Sequence, residues 1–424
     1  MRLHVEKIRG WVTPADAFIA LYSEAENSFW LDREHNGDGR FSVIGSGVPV
    51  LVESIADLGS QLDEYEQISL PFAFRPGLVG IVNFDDSRPS MLRVGSALVF
   101  DHERKTLYFL AKTDSDAKFK NWLDAALLRI GLIGGEQLKY LHAKPAPEIS
   151  AVIPRHSDKE YLELIERVKS HIAAGDVYQL CLTNELELVG SADPLSVFLS
   201  LRSENPAPYA AFMKIGGRVL VSSSPEQFLK VDHSGRVWSK PIKGTRRRDA
   251  DPVIDAEIAQ ELAENSKERA ENLMIVDLMR NDLSRVCDPD SVTVDKLFDV
   301  ESYQTVHQLV STVSGELLPG FNAFHALEAA FPGGSMTGAP KPKAIELIAE
   351  LEGGPRGIYS GVVGYLGDDG SAEFGMVIRS LVFEGEKITL GVGGGITIDS
   401  DAEAELAETK LKAQALLRAL LVAL

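Results

Sequence analysis

Hydrophobic and polar positions alternate with two different periods along this chain, and the change of period marks its elements. Short strand-like apolar runs at 40–44, 78–82 and 97–100 predict strands. A proline-bearing stretch from Ala143 to Pro154 then reads as a linker, dividing the chain into regions 1–145 and 155–424. Ser157-Asp158-Lys159-Glu160 is a capping-box signal for a helix that runs to about Ala174 and stops at Gly175. Strands are predicted at 178–188, 210–214 and 219–222, and one long helical tract at 253–283. Helices fit 321–330, 341–351 and 401–423, with strands at 361–366, 374–383 and 387–398 between the last two. Strands that follow one another without intervening helices favour an α+β fold with antiparallel sheet over a doubly wound one.

Composition narrows the function classes. The 424 residues are 45% hydrophobic, enough for a large core, and the formal net charge is −19. That charge argues against nucleic acid, which needs a basic stripe, and Arg246 to Arg248 is too short to be one. An anionic substrate would need a local cationic or metal-bearing site. The two cysteines, Cys181 and Cys287, form no bridge framework or metal spacing and suit a reducing cytoplasm. The N-terminus lacks the apolar run of a signal peptide, and no 18-residue apolar stretch occurs, so no membrane span is expected.

Candidate chemistry begins at Lys240-Pro241-Ile242-Lys243-Gly244-Thr245-Arg246. It is either a solvated basic turn or the seat of a nucleophilic lysine, whose surroundings would have to lower its pKa. Glu268 and Glu271 stand at i, i+3 on the long helix; Glu405, Glu408 and Lys412 share a face of the last one. These are either ordinary solvated faces or, if they meet, a carboxylate cluster that Mg²⁺ would relieve. The glycine-rich stretches at 333–341 and 391–396 fail as nucleotide loops but let backbone N–H groups approach a small anion.

Taken together the motifs resemble the chorismate-utilising enzymes, which include component I of anthranilate synthase, component I of aminodeoxychorismate synthase, isochorismate synthase and salicylate synthase. The likeness runs from about Tyr178 to Lys412. It rests on Gly175-Asp176-Val177-Tyr178-Gln179-Leu180, Ser224-Pro225-Glu226, Pro241-Ile242-Lys243-Gly244-Thr245-Arg246 and Glu268-Arg269-Ala270-Glu271. Val276 to Leu283, Val306-His307, Phe331 to Lys341, Tyr359-Ser360-Gly361, Ile378-Arg379, Gly393 to Ile396 and Glu405 to Lys412 follow in the family's order.

The resemblance implies two packed, mainly antiparallel sheets flanked by helices, with an anthranilate-synthase-like N-terminal region at 1–145 and the chorismate-binding domain at 155–424. It implies Mg²⁺ held by Glu271 and Glu408, supported by Glu268 and Glu405. Arg379, Tyr359, Lys412 and the N–H groups of Gly394 and Gly395 would bind the substrate carboxylates. Gln179, Gly244, Thr245 and Ser335 would line the pocket, Glu226 would be the general acid, and His307 would sit near the ring.

Two positions sort the subfamilies. Enzymes that add water at C2 carry a lysine base where this chain has Gln179. Anthranilate synthases carry alanine at the position of Lys243, whereas in the aminodeoxychorismate enzymes a lysine there attacks C2 and directs ammonia to C4. The expectation is therefore C4 amination of chorismate, with ammonia from a separate glutamine amidotransferase because the sequence ends at Leu424. A downstream lyase to the folate precursor 4-aminobenzoate would follow. An anthranilate or 2-amino-2-deoxyisochorismate synthase is the alternative enzyme, and a non-catalytic aromatic-binding homologue the alternative class. In the N-terminal region, Arg33 and Ser42 fall in the segment where family members bind tryptophan. Arg33 stands in place of a serine, and an aromatic-rich strand is the other reading.

Overall fold

Strong local start and stop signals are obeyed where they occur. In the computed structural model, which describes residues 1–34, 40–63, 68–132, 134–303 and 306–422, Ser157 and Glu160 close a reciprocal capping box. Gly175 ends the same helix in the left-handed conformation, φ 86°.

The elements run β1 (Arg2–Arg9), α1 (Pro14–Tyr22), β2 (Ser28–Asp32), β3 (Phe41–Val50), β4 (Gly77–Val82), β5 (Pro89–Asp101) and β6 (Thr106–Thr113). Then come α2 (Asp116–Gly131), α3 (Glu136–Ala143), β7 (Glu148–Pro154), α4 (Asp158–Ala174), β8 (Gln179–Ser191) and α5 (Pro194–Glu204). β9 (Tyr209–Ile215), β10 (Arg218–Ser224), β11 (Gln227–Val231), β12 (Arg236–Lys240) and β13 (Ile242–Arg247) precede α6 (Pro252–Glu264) and α7 (Ser266–Ser284). β14 (Thr293–Ser302), β15 (Val306–Glu316), α8 (Ala323–Ala330), β16 (Gly338–Ala339) and α9 (Lys341–Leu351) follow. The chain closes with β17 (Val362–Gly367), β18 (Ala372–Met376), β19 (Ser380–Glu384), β20 (Lys387–Ile396) and α10 (Ala402–Ala419).

The strand ladders between these elements are antiparallel, and they form two sheets that branch from the long strand β5. One runs β5–β3–β2–β9–β10–β19–β20–β8. The other leaves β5 through β4 and continues β17–β18–β11–β12–β15, with β13 and β14 also on β15. A strand long enough to serve both sheets, with a bulge in β3 opposite it, is how packed sheets turn a corner. The faces meet over Phe29, Leu31, Val79, Ile81, Met213, Leu220, Val363 and Tyr365. Strands from before residue 145 thus share ladders with strands from after 155.

Three sequence expectations change. Residues 148–154 are not linker but the edge strand β7, paired to β8; its proline lies at the strand end, where a missing N–H costs no ladder bond. The tract 253–283 breaks into α6 and α7 at Asn265, whose ψ of 112° is not helical and whose side chain accepts from the Glu268 N–H. The strand at 374–383 splits into β18 and β19 around Arg379, which has φ 49°. The predicted helix 401–423 runs to Ala419, and residue 423 lies outside the described residues. No described helix is long and apolar enough to cross a membrane.

One buried ion pair joins the pieces around the branch. Arg356 and Glu352, both 1% exposed at the side chain, pair at 2.6 Å. The guanidinium also donates to the carbonyls of Met336 (2.6 Å) and Cys181 (2.7 Å) and to Ser360 Oγ. Glu352 in turn accepts from the N–H and hydroxyl of Thr183. Removing one partner of such a pair strands a buried charge, so Glu352→Gln should cost about 3–5 kcal/mol. Pairing it with Arg356→Met should recover only part of that loss, because the Met336 and Cys181 carbonyls stay unpaired. Urea midpoints of the two variants check this; full recovery would show that the carbonyl bonds contribute nothing.

Candidate active site

The site forms where the two sheets and two helix starts converge. Asn265 caps α7 and Asp401 caps α10, each side chain accepting from a first-turn N–H. This places Glu268 and Glu405 in first turns, where the helix dipole favours negative charge. Both helix starts open on a cavity of about 490 Å³ with β13 and the Gly393–Gly395 stretch of β20.

Most of the predicted residues meet here. Glu226, Lys243, Gly244, Thr245, Ser335, Tyr359, Arg379, Gly394, Gly395 and Lys412 line the cavity, as do Glu268, Glu271, Glu405 and Glu408. Two glycines are required by geometry. Gly244 has φ 75°, and a Cβ there would lie 2.9 Å from the Glu268 carboxyl carbon. A Cβ on Gly395 would lie 2.3 Å from Gln179 Nε2 and 3.3 Å from Lys243 Nζ. Gln179 therefore packs behind Gly395, beside the lysine, rather than on the cavity wall.

Both signs of charge meet in the cavity, with Arg246, Lys267 and Lys412 paired to Glu268, Glu405 and Glu408. Seven cationic side chains and five glutamates line the cavity, a local positive surplus inside a chain of net charge −19. Lys243 makes no hydrogen bond or ion pair with a described residue. Arg379 holds its left-handed backbone beside it, a strain of the kind found at ligand-binding positions. Burial pushes its guanidinium down, opposed by Glu226 and Glu408. Burial also pushes the Glu226 carboxyl up to about 7, against the pull of Ser335, Lys243 and Arg379.

The glutamate quartet is gathered but not closed. Burial raises Glu271, whereas Lys412, Lys267 and Lys243 outweigh burial at Glu408 and lower it. No three of the four bring carboxylate oxygens within 4.8 Å of one another. The ammonium of Lys267 sits between them, 3.2 Å from Glu405 and 3.9 Å from Glu271. A cation is thus what this cluster accommodates, and its all-oxygen donor set suits a hard ion such as Mg²⁺.

Three predicted residues lie elsewhere. His307 does not line the cavity: its Nε2 meets Asp255 at 2.9 Å and its Nδ1 meets Ser302 Oγ at 2.8 Å. Arg33 lines a separate cavity of about 370 Å³ between the sheets, stacked 4.6 Å over Tyr209 and 3.7 Å from Glu373. Ser42 is buried behind it, bonded to Asp32, His102 and the Arg33 N–H. Asp32, Glu34 and His102 do bring ligand atoms within 4.8 Å, but Arg202 already pairs with both carboxylates.

Sequence reasoning missed Lys267 and Gln308, both on the cavity wall. Lys267 was legible as a neighbour of the Glu268 pair. Gln308 follows His307 on a strand, where successive side chains face opposite ways.

Residues 82–418 match the family model for chorismate binding enzyme. Two relatives, from Streptomyces griseus and Streptomyces pristinaespiralis, are each named aminodeoxychorismate synthase and are 39% and 40% identical. The matches cover 95% and 99% of this chain but only 62% and 65% of theirs, so the chain spans less than two thirds of these relatives. Among solved structures, anthranilate synthase component I from Streptococcus pneumoniae TIGR4 superposes with a TM-score of 0.80 at 26% identity, covering 96% of this chain and 97% of that one.

The raised Glu226 carboxyl makes stability depend on pH. The folded protein keeps this proton to about pH 7, whereas the unfolded chain releases it near the ordinary 4.5. Stability is therefore lost as pH rises through that window, by roughly 3 kcal/mol. Glu226→Gln cannot ionise, so its Tm relative to the parent protein should rise between about pH 4 and about pH 8. A Tm difference that stays constant across that range would mean that Glu226 is not held protonated.

Proposed function

The chain belongs to the family of chorismate binding enzymes, and we propose that it is the synthase component that aminates chorismate at C4, giving 4-amino-4-deoxychorismate. The observation that carries this is Lys243, projecting into the cavity beside Glu226 and Arg379 with no described partner of its own.

In this reading Arg379, Lys412 and the N–H groups of Gly394 and Gly395 bind the two carboxylates, the arginine fork matching a carboxylate's geometry. Mg²⁺, when bound by Glu271 and Glu408 with Glu268 and Glu405 in support, supplies a positive template for the ring carboxylate. The Lys243 amine attacks C2, the ring double bonds shift, and the C4 hydroxyl leaves as water on the proton of Glu226. A carboxyl raised to about 7 is suited to that donation near neutral pH. Ammonia then adds at C4, the double bonds return, and the lysine amine departs from C2. Occupying C2 covalently is what sends ammonia to C4. His307, held by Asp255 and Ser302, takes no chemical part and instead fixes β15 against α6.

Ammonia would come from a glutamine amidotransferase partner, and a lyase would release 4-aminobenzoate for folate synthesis. Two buried free thiols, Cys181 and Cys287, suit a reducing cytoplasm.

The test is a product assay with purified protein, chorismate, Mg²⁺ and ammonium, with and without an aminodeoxychorismate lyase. The expected result is lyase-dependent 4-aminobenzoate that disappears in Lys243→Ala. Anthranilate or the 2-amino isomer from the unmodified protein would assign it to the alternative enzymes instead. No Mg²⁺-dependent chorismate consumption at all would mark a non-catalytic binder.

A further inference from the structure

Gln308 is a buried polar side chain on β15 that faces the main cavity. It is 1% exposed, it lines the main cavity, and its Oε1 has no hydrogen-bond partner among the described residues. Buried carbonyl oxygens are paired in the great majority of cases, so an exception that faces a cavity is open to a donor from outside the chain. The strand geometry explains the orientation. His307 spends both ring nitrogens on Asp255 and Ser302, and alternation along β15 turns Gln308 the other way. Its register partner on β13 is Thr245, one residue past the Gly244 bulge that follows Lys243.

Resting on the chorismate reading above, we propose that Gln308 recognises the substrate's C4 hydroxyl by accepting its hydrogen bond. The choice of group follows from chemistry. A carbonyl oxygen repels the two carboxylates, which have Arg379 and Lys412 to meet them. The substrate dianion carries a single hydrogen-bond donor, and that is the hydroxyl. With its hydrogen committed to Gln308, the hydroxyl oxygen is left with lone pairs for the proton of Glu226. The contact thus selects substrates that carry a leaving hydroxyl and holds that group for departure.

The experiment is equilibrium binding by calorimetry in the presence of Mg²⁺, with chorismate and with the analogue bearing hydrogen in place of the C4 hydroxyl, each protein compared in a Lys243→Ala background so that the lysine cannot react with chorismate. The unmodified protein should prefer chorismate by about tenfold or more, because the analogue leaves the carbonyl unpaired. Gln308→Leu should bind the two equally while keeping its Tm, since the carbonyl it loses bonds no described residue. A preference that survives in Gln308→Leu overturns the proposal and leaves the chorismate reading standing. Survival of the preference together with a raised KM for ammonia also overturns it, assigning the carbonyl to ammonia. Failure of the unmodified protein to bind either ligand overturns the chorismate reading, and this proposal with it.

Discussion

A full positive charge on Arg356, almost wholly removed from water, has to be met by protein alone. Desolvating an ion pair is expensive, and it persists only where further hydrogen bonds complete both partners. Here Glu352 neutralises the guanidinium while the carbonyls of Met336 and Cys181 take its remaining donors. Those acceptors belong to the turn after Ser335 and to β8, and Ser360 Oγ adds the turn after Tyr359. Three stretches far apart in sequence thus converge on one rigid fork, and each contributes a wall of the cavity.

The cavity itself follows from a second electrostatic constraint. A chain with net charge −19 repels a dianion everywhere except where cations are concentrated. The surplus of lysines and arginines around the cavity supplies that place, and Arg246, Lys267 and Lys412 pair with the glutamates of α7 and α10. Lys267 shows how the glutamates are kept together without collapse into mutual repulsion. Burial then sets the protonation of Glu226, which is desolvated more than its neighbours can compensate, so its carboxyl keeps a proton up to about pH 7.

Much of this was legible from residue order. The capping box at Ser157, the stop at Gly175 and the helix Lys341–Leu351 all follow from local backbone chemistry. The helix break at Asn265 was equally local, since asparagine three residues before Glu268 is an N-cap signal, but a continuous apolar pattern concealed it. The break at Arg379 was not legible: a left-handed arginine violates the local preference of every residue but glycine, and only the surrounding ladders hold it. Pro145 and Pro147 do lie in the irregular segment before β7, and only Pro154, at the end of that edge strand, made the strand read as linker too.

The sequence by itself determined which residues share a helix face, where helices begin and end, and which side chains with acid, base or nucleophilic character are present. Those properties depend on neighbours within a few positions, where covalent geometry dictates spacing. Tertiary structure alone decided that the faces of α7 and α10 look into one cavity, and that Arg33 lines its own cavity beside Tyr209 and Glu373. It also decided between His307 and Gln308. A strand's alternation makes the two opposite, but only its pairing with β13 and its packing on α6 choose which of them meets the cavity.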